Sequence, residues 1–600
     1  MEECLLLYIA IKINGVIDLN KYEWAVEDIY PSIKEWEEDY KKAKELNSFD
    51  EFKGNLDKVE VFLSCMKKQE NVGRLLEKLY VYAMMLSDSD TANAEYGALL
   101  NRCMALSSEI GANTAFVVPE LTSLSSKVIK DYIADKSLSE YDYFLKGVLK
   151  DKAHVLDEKS ETIMARASET LSSFKEIFTK IDNADLPLKS VRDGKEVIPL
   201  SHGAYSVILH GKNRSLRKRT FKSYYGSYLS LINTITSTYY GSVKADVFRA
   251  KVRNYSSALN MALSGEDVGE EVYYNLINSV REALPILHEY IAEKKKALKL
   301  KKMHTYDMYV PVVEDAELEL EYDDAYNLVI EGLSVLGDEY VNLLKKARED
   351  RWISVYEKKG KRSGAYSVAV YDTHPYVLLN YQKTTHDVFT IAHEMGHSIH
   401  SYYSNKNQPY AKADYKIFVA EVASTVNEVL LLKYLLKKTT DVKLKKYLLS
   451  YLMEMIRTTL FRQTQFAEFE EFSHAEVEKG EPLTKTSMSD KYLELNKKYY
   501  GDAVISDEEI KYEWARIPHF YRAFYVYKYA TGIISALSIA DRILTEGESA
   551  VKDYFKFLSS GGSDSPVELL KIAGVDLTKE QPFKSAFKVF RDALDEFKKL

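Results

Sequence analysis

Apolar residues recur at the i, i+3, i+4 and i+7 spacing of an amphipathic helix through most of residues 20 to 180. Only 12 of the 600 residues are proline and 25 are glycine, so long helices can run without interruption. The sequence therefore predicts a mainly α fold. Two of the apolar stripes are Tyr22, Ala25, Val26, Ile29 and Leu79, Tyr82, Ala83, Leu86.

The residue composition of the chain changes over residues 183–203, which contain two prolines and two glycines among short runs of β-branched residues. We place a domain boundary there, between an N-terminal helical lobe of residues 1–195 and a second domain of residues 196–600. The clearest strand pattern lies in the second domain. Residues 365–371 and 376–381, joined by residues 372–375, predict an antiparallel hairpin.

The composition excludes several classes of protein. A net charge of −8 provides no basic surface for nucleic acid or an anionic membrane. The three cysteines, Cys4, Cys65 and Cys103, are too few and too widely spaced for a disulfide scaffold, which favours structural thiols in a reducing cytoplasm. Residues 5–13 are apolar but follow two glutamates and include a lysine, which argues against a signal peptide, and no run is long enough for a membrane anchor. The sequence gives no indication of oligomeric state.

The pentapeptide His393-Glu394-Met395-Gly396-His397 points to a metal site. On a helix, side chains four residues apart project from one face, so both imidazoles can reach the same ion. Glu394 then lies beside that ion, where it can take a proton from a bound water molecule. This spacing is typical of zinc hydrolases, and it predicts one zinc ion per chain.

The surrounding residues favour a buried helix. Thr384 and Asp387 have the spacing of a capping box, and the segment that follows is strongly apolar. Gly396 is a poor helix former, but a glycine is tolerable there if another backbone approaches closely. Two imidazoles and a carboxylate in an apolar helix are destabilising unless a partner such as a metal ion satisfies them.

A catalytic zinc ion usually has three protein ligands, and two residues are candidates for the third. His400 lies on the same helix face as the two histidines, but three ligands along one straight helix cannot converge tetrahedrally. Glu421 lies in a second apolar helical segment, reached through the polar residues 404–414, and is the stronger candidate. We expect Glu428 to accept a ring N–H from a ligating histidine, and we expect His400 to support the ligands rather than bind the metal.

Five further stretches of the sequence resemble one enzyme family. Together with the two predicted helices that carry His393 and Glu421, these stretches resemble the oligoendopeptidase F branch of the thimet oligopeptidase-like zinc peptidases. They occur in the same order as in that family. The similar region covers roughly residues 200 to 590. The stretches are residues 306–311, the pair 361–366 and 375–380, and residues 462–470, 517–521 and 524–532.

The resemblance implies a two-lobed helical ellipsoid with a deep channel and a small antiparallel hairpin beside the zinc helix. It also implies an endopeptidase that cleaves internal bonds of unfolded oligopeptides. A peptidyl-dipeptidase or a carboxypeptidase of the same zinc class is the alternative. A non-catalytic binding protein with a decayed metal site is a second alternative, and the intact Glu394 argues against it.

The tyrosine-rich segment after Pro518 is expected to stabilise the oxyanion. Pro518 suits a helix start, after which Tyr525 and Tyr529 would share one face. In the family that the chain resembles, a tyrosine and a histidine of this segment donate to the developing oxyanion. Tyr525 is our first choice here, followed by His519, with Tyr529 as a further residue that contacts the substrate.

The predicted hairpin also suits substrate binding. The edge formed by Gly364, Ala365 and Tyr366 can hydrogen-bond an extended peptide as an added strand. Gly364 permits a close approach of the two backbones. The alternative is a hairpin that only covers the metal helix.

Overall fold

Helices make up most of the structure, a computed structural model that describes residues 19–313 and 318–600. The mainly α prediction is confirmed. The helices before the first strand are α1 (Ile33–Leu46), α2 (Val59–Ser89), α3 (Ala94–Thr114), α4 (Val117–Ser123), α5 (Ser126–Ala134), α6 (Asp142–Asp151) and α7 (Glu158–Lys180).

Seven helices lie between the first strand and the sheet described below: α8 (His202–His210), α9 (Arg214–Ser230), α10 (Ile232–Val252), α11 (Ala258–Glu266), α12 (Glu270–Ala297), α13 (Tyr322–Gly332) and α14 (Asp338–Glu349). After the sheet follow α15 (Thr385–Asn407), α16 (Tyr410–Ala413), α17 (Ile417–Lys438), α18 (Val442–Ile456), α19 (Arg462–Lys479), α20 (Lys485–Tyr500), α21 (Tyr527–Glu546), α22 (Glu548–Leu558), α23 (Pro566–Ile572) and α24 (Gln581–Lys599).

The strands are short and form three small sheets. The hairpin predicted around residues 365–381 is confirmed, because β5 (Tyr366–Val368) pairs antiparallel with β6 (Tyr376–Leu378). A further strand, β4 (Ile353–Ser354), pairs parallel with β6, so the sheet has the order β4-β6-β5 and β5 lies at its edge. The remaining strands are β1 (Val191–Asp193), β2 (Glu196–Ile198), β3 (Met303–His304) and β7 (Val504–Ile505).

One helical prediction is wrong. The stripe from Tyr22 to Ile29 forms only short 3-10 turns, at Leu19–Tyr22 and Val26–Asp28. Besides the local bonds of these turns, the backbone there makes two long-range hydrogen bonds: Ala25 N–H donates to Arg351 O at 2.8 Å, and Val355 N–H donates to Tyr22 O at 2.9 Å. The expectations about residues 5–13 and Cys4 lie outside the described residues.

Buried apolar side chains form two large cores. The first joins residues from Trp24 to Val148 and also takes in three side chains of the hairpin region, Val370, Tyr376 and Leu378. The second runs from Phe178 to Leu594 and contains the apolar residues of α15 and α17. The domain boundary at residue 195 stays a prediction. Within residues 19–313 and 318–600, no helix has both the length and the apolar character needed to cross a membrane.

Candidate metal centre

Helix α15 begins with the capping box that the sequence predicts. Thr384 Oγ1 accepts from Asp387 N–H at 3.2 Å, and Asp387 Oδ2 accepts from Thr384 N–H at 2.9 Å. These bonds satisfy backbone donors at the start of the helix and fix its first residue. The helix therefore carries His393, Glu394 and His397 in a fixed register.

Helix α17 approaches α15 closely at Gly396. A β-carbon on Gly396 would lie only 2.5 Å from Ser424 Cα and 2.7 Å from Ala423 O. Four residues earlier on α15, Ala392 O accepts from the side-chain amide of Asn427 at 3.0 Å. The contact on α17 has moved forward along the chain while that on α15 has moved back, so the two helices run antiparallel. The missing side chain of Gly396 lets the two backbones meet, as the sequence analysis expects.

The close approach brings three candidate ligand atoms together. His393 Nε2 and His397 Nε2 lie 3.2 Å apart, and Glu421 Oε2 lies 3.4 Å from the first and 3.6 Å from the second. Three atoms bound to one tetrahedral ion at roughly 2.0–2.1 Å would lie about 3.3–3.4 Å apart. The three side chains therefore fit a tetrahedral zinc ion. Within the described residues, no other group of three or more histidine, cysteine or acidic side chains has its candidate ligand atoms so close together.

Both imidazoles are oriented by groups behind them. Glu428 Oε1 lies 2.6 Å from His393 Nδ1, so the ring donates there and leaves Nε2 free to bind a metal. His397 is hydrogen-bonded to the backbone of Ala420, the residue before Glu421. Helix α17 thus supplies one candidate ligand and the two groups that orient the other two.

The charges of the three side chains influence one another. Burial lowers the pKa of His393, but the carboxylates of Glu421 and Glu428 outweigh it and raise that pKa to about 10. Burial and the neighbouring His393 lower the pKa of His397 to about 4. The hydrogen bond from His393 keeps the pKa of Glu421 below its usual range. The site therefore holds negative charge that a cation can neutralise.

Glu394 lies in an apolar setting next to these groups. Its side chain is buried, with 7% of the residue exposed. Burial raises its pKa to about 7, with a further contribution from Glu421 and Glu428 and an opposing one from His393. A carboxylate with a pKa near neutrality is well suited to accept a proton and give it back.

His400 is placed apart from the ligand cluster. It is 1% exposed, and its ring stacks on Tyr415 with the centroids 3.8 Å apart. Burial, together with the nearby His397, lowers its pKa to about 3, so it is neutral at physiological pH. On the metal helix it packs against Tyr415 and Phe557, and it is absent from the group of three candidate ligands.

The prediction of one helix carrying Tyr525 and Tyr529 is wrong. Pro518–Tyr521 is a single 3-10 turn, and α21 begins only at Tyr527, so Tyr525 lies in the loop between them. The three predicted side chains still cluster: the Tyr525 ring lies 5.5 Å from that of Tyr529, and His519 Nε2 lies 3.4 Å from Tyr529 Oη. The cluster borders the metal centre, since Glu421 is among the groups that raise the pKa of Tyr529.

Glu470 holds the loop that carries Tyr525, a role that the sequence analysis missed. Glu470 Oε1 accepts from Phe524 N–H at 3.0 Å, and Phe524 has a φ of 53°, which is unusual for a residue with a side chain. Burial raises the pKa of Glu470 well above its usual range. The only signal in the sequence was its place in the stretch 462–470.

The hairpin brings its edge close to the metal helix. Ser367 Oγ, on β5, lies 2.8 Å from Ser398 Oγ, one residue after His397. Gly364 has a φ of +90° and Ala365 is exposed, but Asn380 already donates to Gly364 O at 2.8 Å. Tyr366 points to α2, where its hydroxyl donates to Asp88 at 2.8 Å. The Gly364 carbonyl thus already accepts one hydrogen bond, and the Tyr366 hydroxyl is already engaged with Asp88.

A cavity of about 780 Å³ runs along β5 and reaches α17. Its lining includes Ala369 of the hairpin, Ser401 of α15 and Ala420 of α17. Glu77 of α2 also lines it. The cavity therefore lies between residues of the two cores, next to the candidate ligand Glu421.

Two family models match the chain. Residues 207–589 match the model described as peptidase family M3, and residues 120–187 match the one described as oligopeptidase F. The first match contains all three candidate ligands and Glu394.

Known proteins are similar over nearly the whole length of the chain. Oligopeptidase PepF of Bacillus subtilis is 43% identical over 582 residues, which cover 96% of this chain and 87% of that protein. An oligoendopeptidase F homolog of Lactococcus lactis is 39% identical and covers 97% of each chain.

Two crystal structures share both fold and sequence with it. Oligoendopeptidase F of Enterococcus faecium superposes with a TM-score of 0.72 at 36% identity, covering 94% of this chain and 98% of its own. A protein of Chlamydophila abortus, described only as a candidate peptidase, superposes with a TM-score of 0.92 at 37% identity and covers 96% and 98%.

Proposed function

Since this chain belongs to peptidase family M3 and is similar throughout to oligoendopeptidase F enzymes, we propose that it is a zinc-dependent endopeptidase that hydrolyses internal bonds of unfolded oligopeptides. It is a metallopeptidase by family. Zinc as the metal, the residues that act and the class of substrate are the parts that we propose.

The observation that carries the proposal is the triangle of ligand atoms. The distances of 3.2, 3.4 and 3.6 Å among His393, His397 and Glu421 suit a tetrahedral ion with one position left for water. A bound zinc ion would lower the pKa of that water and polarise the peptide carbonyl. Nitrogen and carboxylate donors in this number are the usual ligands of catalytic zinc.

Glu394 acts as general base and then as general acid. Its carboxylate takes the proton of the attacking water and delivers it to the leaving amine. The raised pKa supports this double role, because a carboxyl group that titrates near pH 7 can be reprotonated within the catalytic cycle.

Tyr525 and His519 donate hydrogen bonds to the oxyanion that develops on the peptide carbonyl. The cluster they form with Tyr529, next to Glu421, supports this assignment. We expect such a donor to contribute roughly 10²–10³ in turnover. Tyr525→Phe should therefore lower kcat with little change in KM, because the bond forms only in the transition state.

The substrate lies extended along the edge of β5, where Gly364 and Ala365 offer backbone groups. Binding in this mode depends on free peptide backbone, so we propose that unfolded oligopeptides are cleaved and folded proteins are spared. The cavity beside β5 supports a channel between an N-terminal lobe of residues 1–195 and a catalytic domain of residues 196–600. We also place the enzyme in the cytoplasm, which suits the buried free thiols Cys65 and Cys103.

The test combines metal analysis with cleavage of a peptide that is blocked at both ends. The purified protein should contain one zinc ion per chain and cut the blocked peptide internally, which a carboxypeptidase or peptidyl-dipeptidase would not do. Glu394→Gln should retain the zinc ion but lose nearly all turnover, because an amide cannot accept the proton. Substantial turnover by a clean Glu394→Gln preparation would remove Glu394 as the base.

A further inference from the structure

A second cavity, of about 680 Å³, lies at the opposite end of the metal helix and is rich in basic residues. It is bounded by α12, the first turn of α15, and the π-helical turn Arg457–Phe461 that joins α18 to α19. Charged groups in its lining are Lys294, Glu454, Arg457, Arg462 and Arg516. The mechanism proposed above uses none of them.

Among the described residues, the positive charges of the cavity outnumber the carboxylates that contact them. Lys294 Nζ and Arg457 Nη2 share Glu454, at 2.8 and 2.6 Å. Arg462 Nη2 and Arg516 Nη2 share Glu513, at 2.6 and 3.1 Å. Four cations thus share two carboxylates, which leaves a net charge of +2. Within residues 19–313 and 318–600, no other carboxylate forms a salt bridge with these four side chains.

This excess charge is buried. The side chains of Lys294 and Arg457 are 1% and 7% exposed, and those of Arg462 and Arg516 are 18% and 19% exposed. Arg516 also has a buried Nε atom with no hydrogen-bond partner among the residues that the structure describes. Buried positive charge is costly unless an anion compensates it. The cavity therefore suits an anionic ligand.

The cavity borders the metal centre. His386 lines it and lies seven residues before His393 on α15, about 10 Å along the helix. On its other side, Tyr451 stacks on Phe389 with the ring centroids 4.8 Å apart. Tyr451 is also close enough to Glu428 for that carboxylate to raise its pKa. An anion in the cavity would therefore lie a few peptide residues from the reacting bond.

The direction of the hairpin indicates which end of a peptide reaches the cavity. A small cavity of about 240 Å³ connects Gly364 and Ala365, just before β5, with the same His386. The far end of β5 faces Ser401 of α15 instead. A peptide that binds antiparallel to β5 therefore passes Gly364 with its C-terminal part and continues toward His386.

We propose that this basic cavity binds the C-terminal carboxylate of the peptide substrate. The inference rests on the proposed endopeptidase function and adds a polarity and a length to it. At about 3.3 Å per residue, the 10 Å span corresponds to roughly three residues, so the carboxylate lies about three or more residues beyond the cleaved bond. A carboxypeptidase or peptidyl-dipeptidase would hold it one or two residues beyond.

Binding is measured with zinc-loaded Glu394→Gln protein, so that the result does not depend on cleavage. A set of peptides shares one sequence before the bond and carries one to six residues after it, each made with a free C-terminal carboxylate and with a C-terminal amide. We expect the free acids to bind roughly tenfold more tightly, with the largest ratio at three or more residues. A peptide amide with a glutamate side chain at that position tests whether any carboxylate suffices; equal binding by it would overturn the assignment to the C-terminus.

The variants place one charge in the cavity without breaking its ion pairs. Gln463 lines the cavity and is uncharged, so its replacement removes none of the existing ion pairs. Gln463→Glu adds a negative charge and should abolish the preference for the free acid, whereas Gln463→Lys adds a positive charge and should increase that preference. The control is Gln581→Glu, on the exposed start of α24. It changes the net charge of the protein by the same amount but lies away from the cavity, so it should leave the acid-to-amide affinity ratio unchanged.

The proposal would be overturned by equal affinity for acids and amides in the parent protein, by a ratio that is greatest at one or two residues, or by the same shift with Gln463→Glu as with Gln581→Glu. Residues 314–317, three of which are acidic, follow the cavity-lining Val313 and lie outside the described residues. They are neutralised in a further variant. A preference that emerges only in that variant would also overturn the proposal. Failure to cleave any blocked peptide would count against the proposed function alone.

Discussion

Ser424 Cα lies 2.5 Å from the point where a β-carbon on Gly396 would be. The contact sets the distance between α15 and α17, and therefore the distance from the two histidines to Glu421, one turn before Ser424. The distances among the three candidate ligand atoms thus depend on the absence of a side chain at Gly396, which lies between the two histidines.

Gly396→Ala should therefore damage the metal site through its backbone. The added methyl group overlaps the Ser424 backbone, and the helices must separate by an appreciable fraction of an ångström. We expect a loss of about 1–3 kcal/mol in the free energy of unfolding, together with weaker zinc binding, measured by denaturation and metal titration. In the matched control, Gly226→Ala in α9, the methyl group meets open space and should stabilise the helix by about 0.5–1 kcal/mol. Unchanged zinc affinity in Gly396→Ala would contradict the role of the close approach.

The third ligand can be assigned by comparing two alanine variants. Glu421→Ala should lose zinc affinity and activity together, because the remaining two histidines provide too few ligands. His400→Ala removes a buried ring that stacks on Tyr415, so it should lower stability and keep stoichiometric zinc. The measurement is the zinc content after dialysis. The opposite pattern of metal contents would make His400 the third ligand.

Glu77 should make stability depend on pH. Burial raises its pKa from the ordinary 4.5 to about 7, against the hydrogen bond from Tyr371 N–H, and one of its oxygens is buried without a partner. The folded state holds this proton more tightly than the unfolded state. The contribution of that proton to the free energy of unfolding is fully present below pH 4.5 and is lost as the pH rises through about 7.

Glu77→Gln should therefore stabilise the protein most above pH 7, by on the order of 2 kcal/mol. It should make little difference at pH 4.5, where the parent residue is already neutral. Denaturant unfolding at both pH values measures the change. An equal effect of the substitution at both pH values would show that burial does not raise the pKa of Glu77.

Glu470 should influence turnover through the loop that it holds. Glu470→Gln keeps an uncharged side chain that can accept from Phe524 N–H, so its kcat should stay near that of the parent enzyme. Glu470→Leu removes the acceptor and leaves that N–H buried and unpaired, at a cost of about 1–3 kcal/mol. We expect Tyr525 to lose its fixed position and kcat to fall while KM changes little. Equal kcat values for the Gln and Leu variants would remove Glu470 from this role.

The sequence predicts those features that depend on neighbours along the chain. The cap at Thr384 and Asp387, the spacing of the histidines on α15, and the hairpin strands are all set within a few residues. The second helix could also be read from its apolar run. Glu421 is predicted as the third ligand because it lies in that run, which is reached from the metal helix through the polar residues 404–414.

Features set by distant residues escaped prediction. The start of α21 is delayed because Phe524 adopts a positive φ, which is held by Glu470 from 54 positions earlier in the chain. The segment around Ala25 is not helical because it pairs with Arg351. The basic cavity forms only when Lys294 meets Glu454, which is 160 residues away. No local pattern reveals such pairs.

The edge strand β5 packs on the first hydrophobic core through Tyr366 and Val368, whereas the candidate metal ligands belong to helices of the second, to which β6 also contributes Val377. The strand that we propose aligns a peptide and the groups that we propose cut it are therefore stabilised by different sets of buried side chains. If the first core melts while the second stays folded, the protein keeps its metal ligands in place but loses the guide that presents a bond to them. Damage to the first core should thus produce an inactive metalloprotein instead of an unregulated protease.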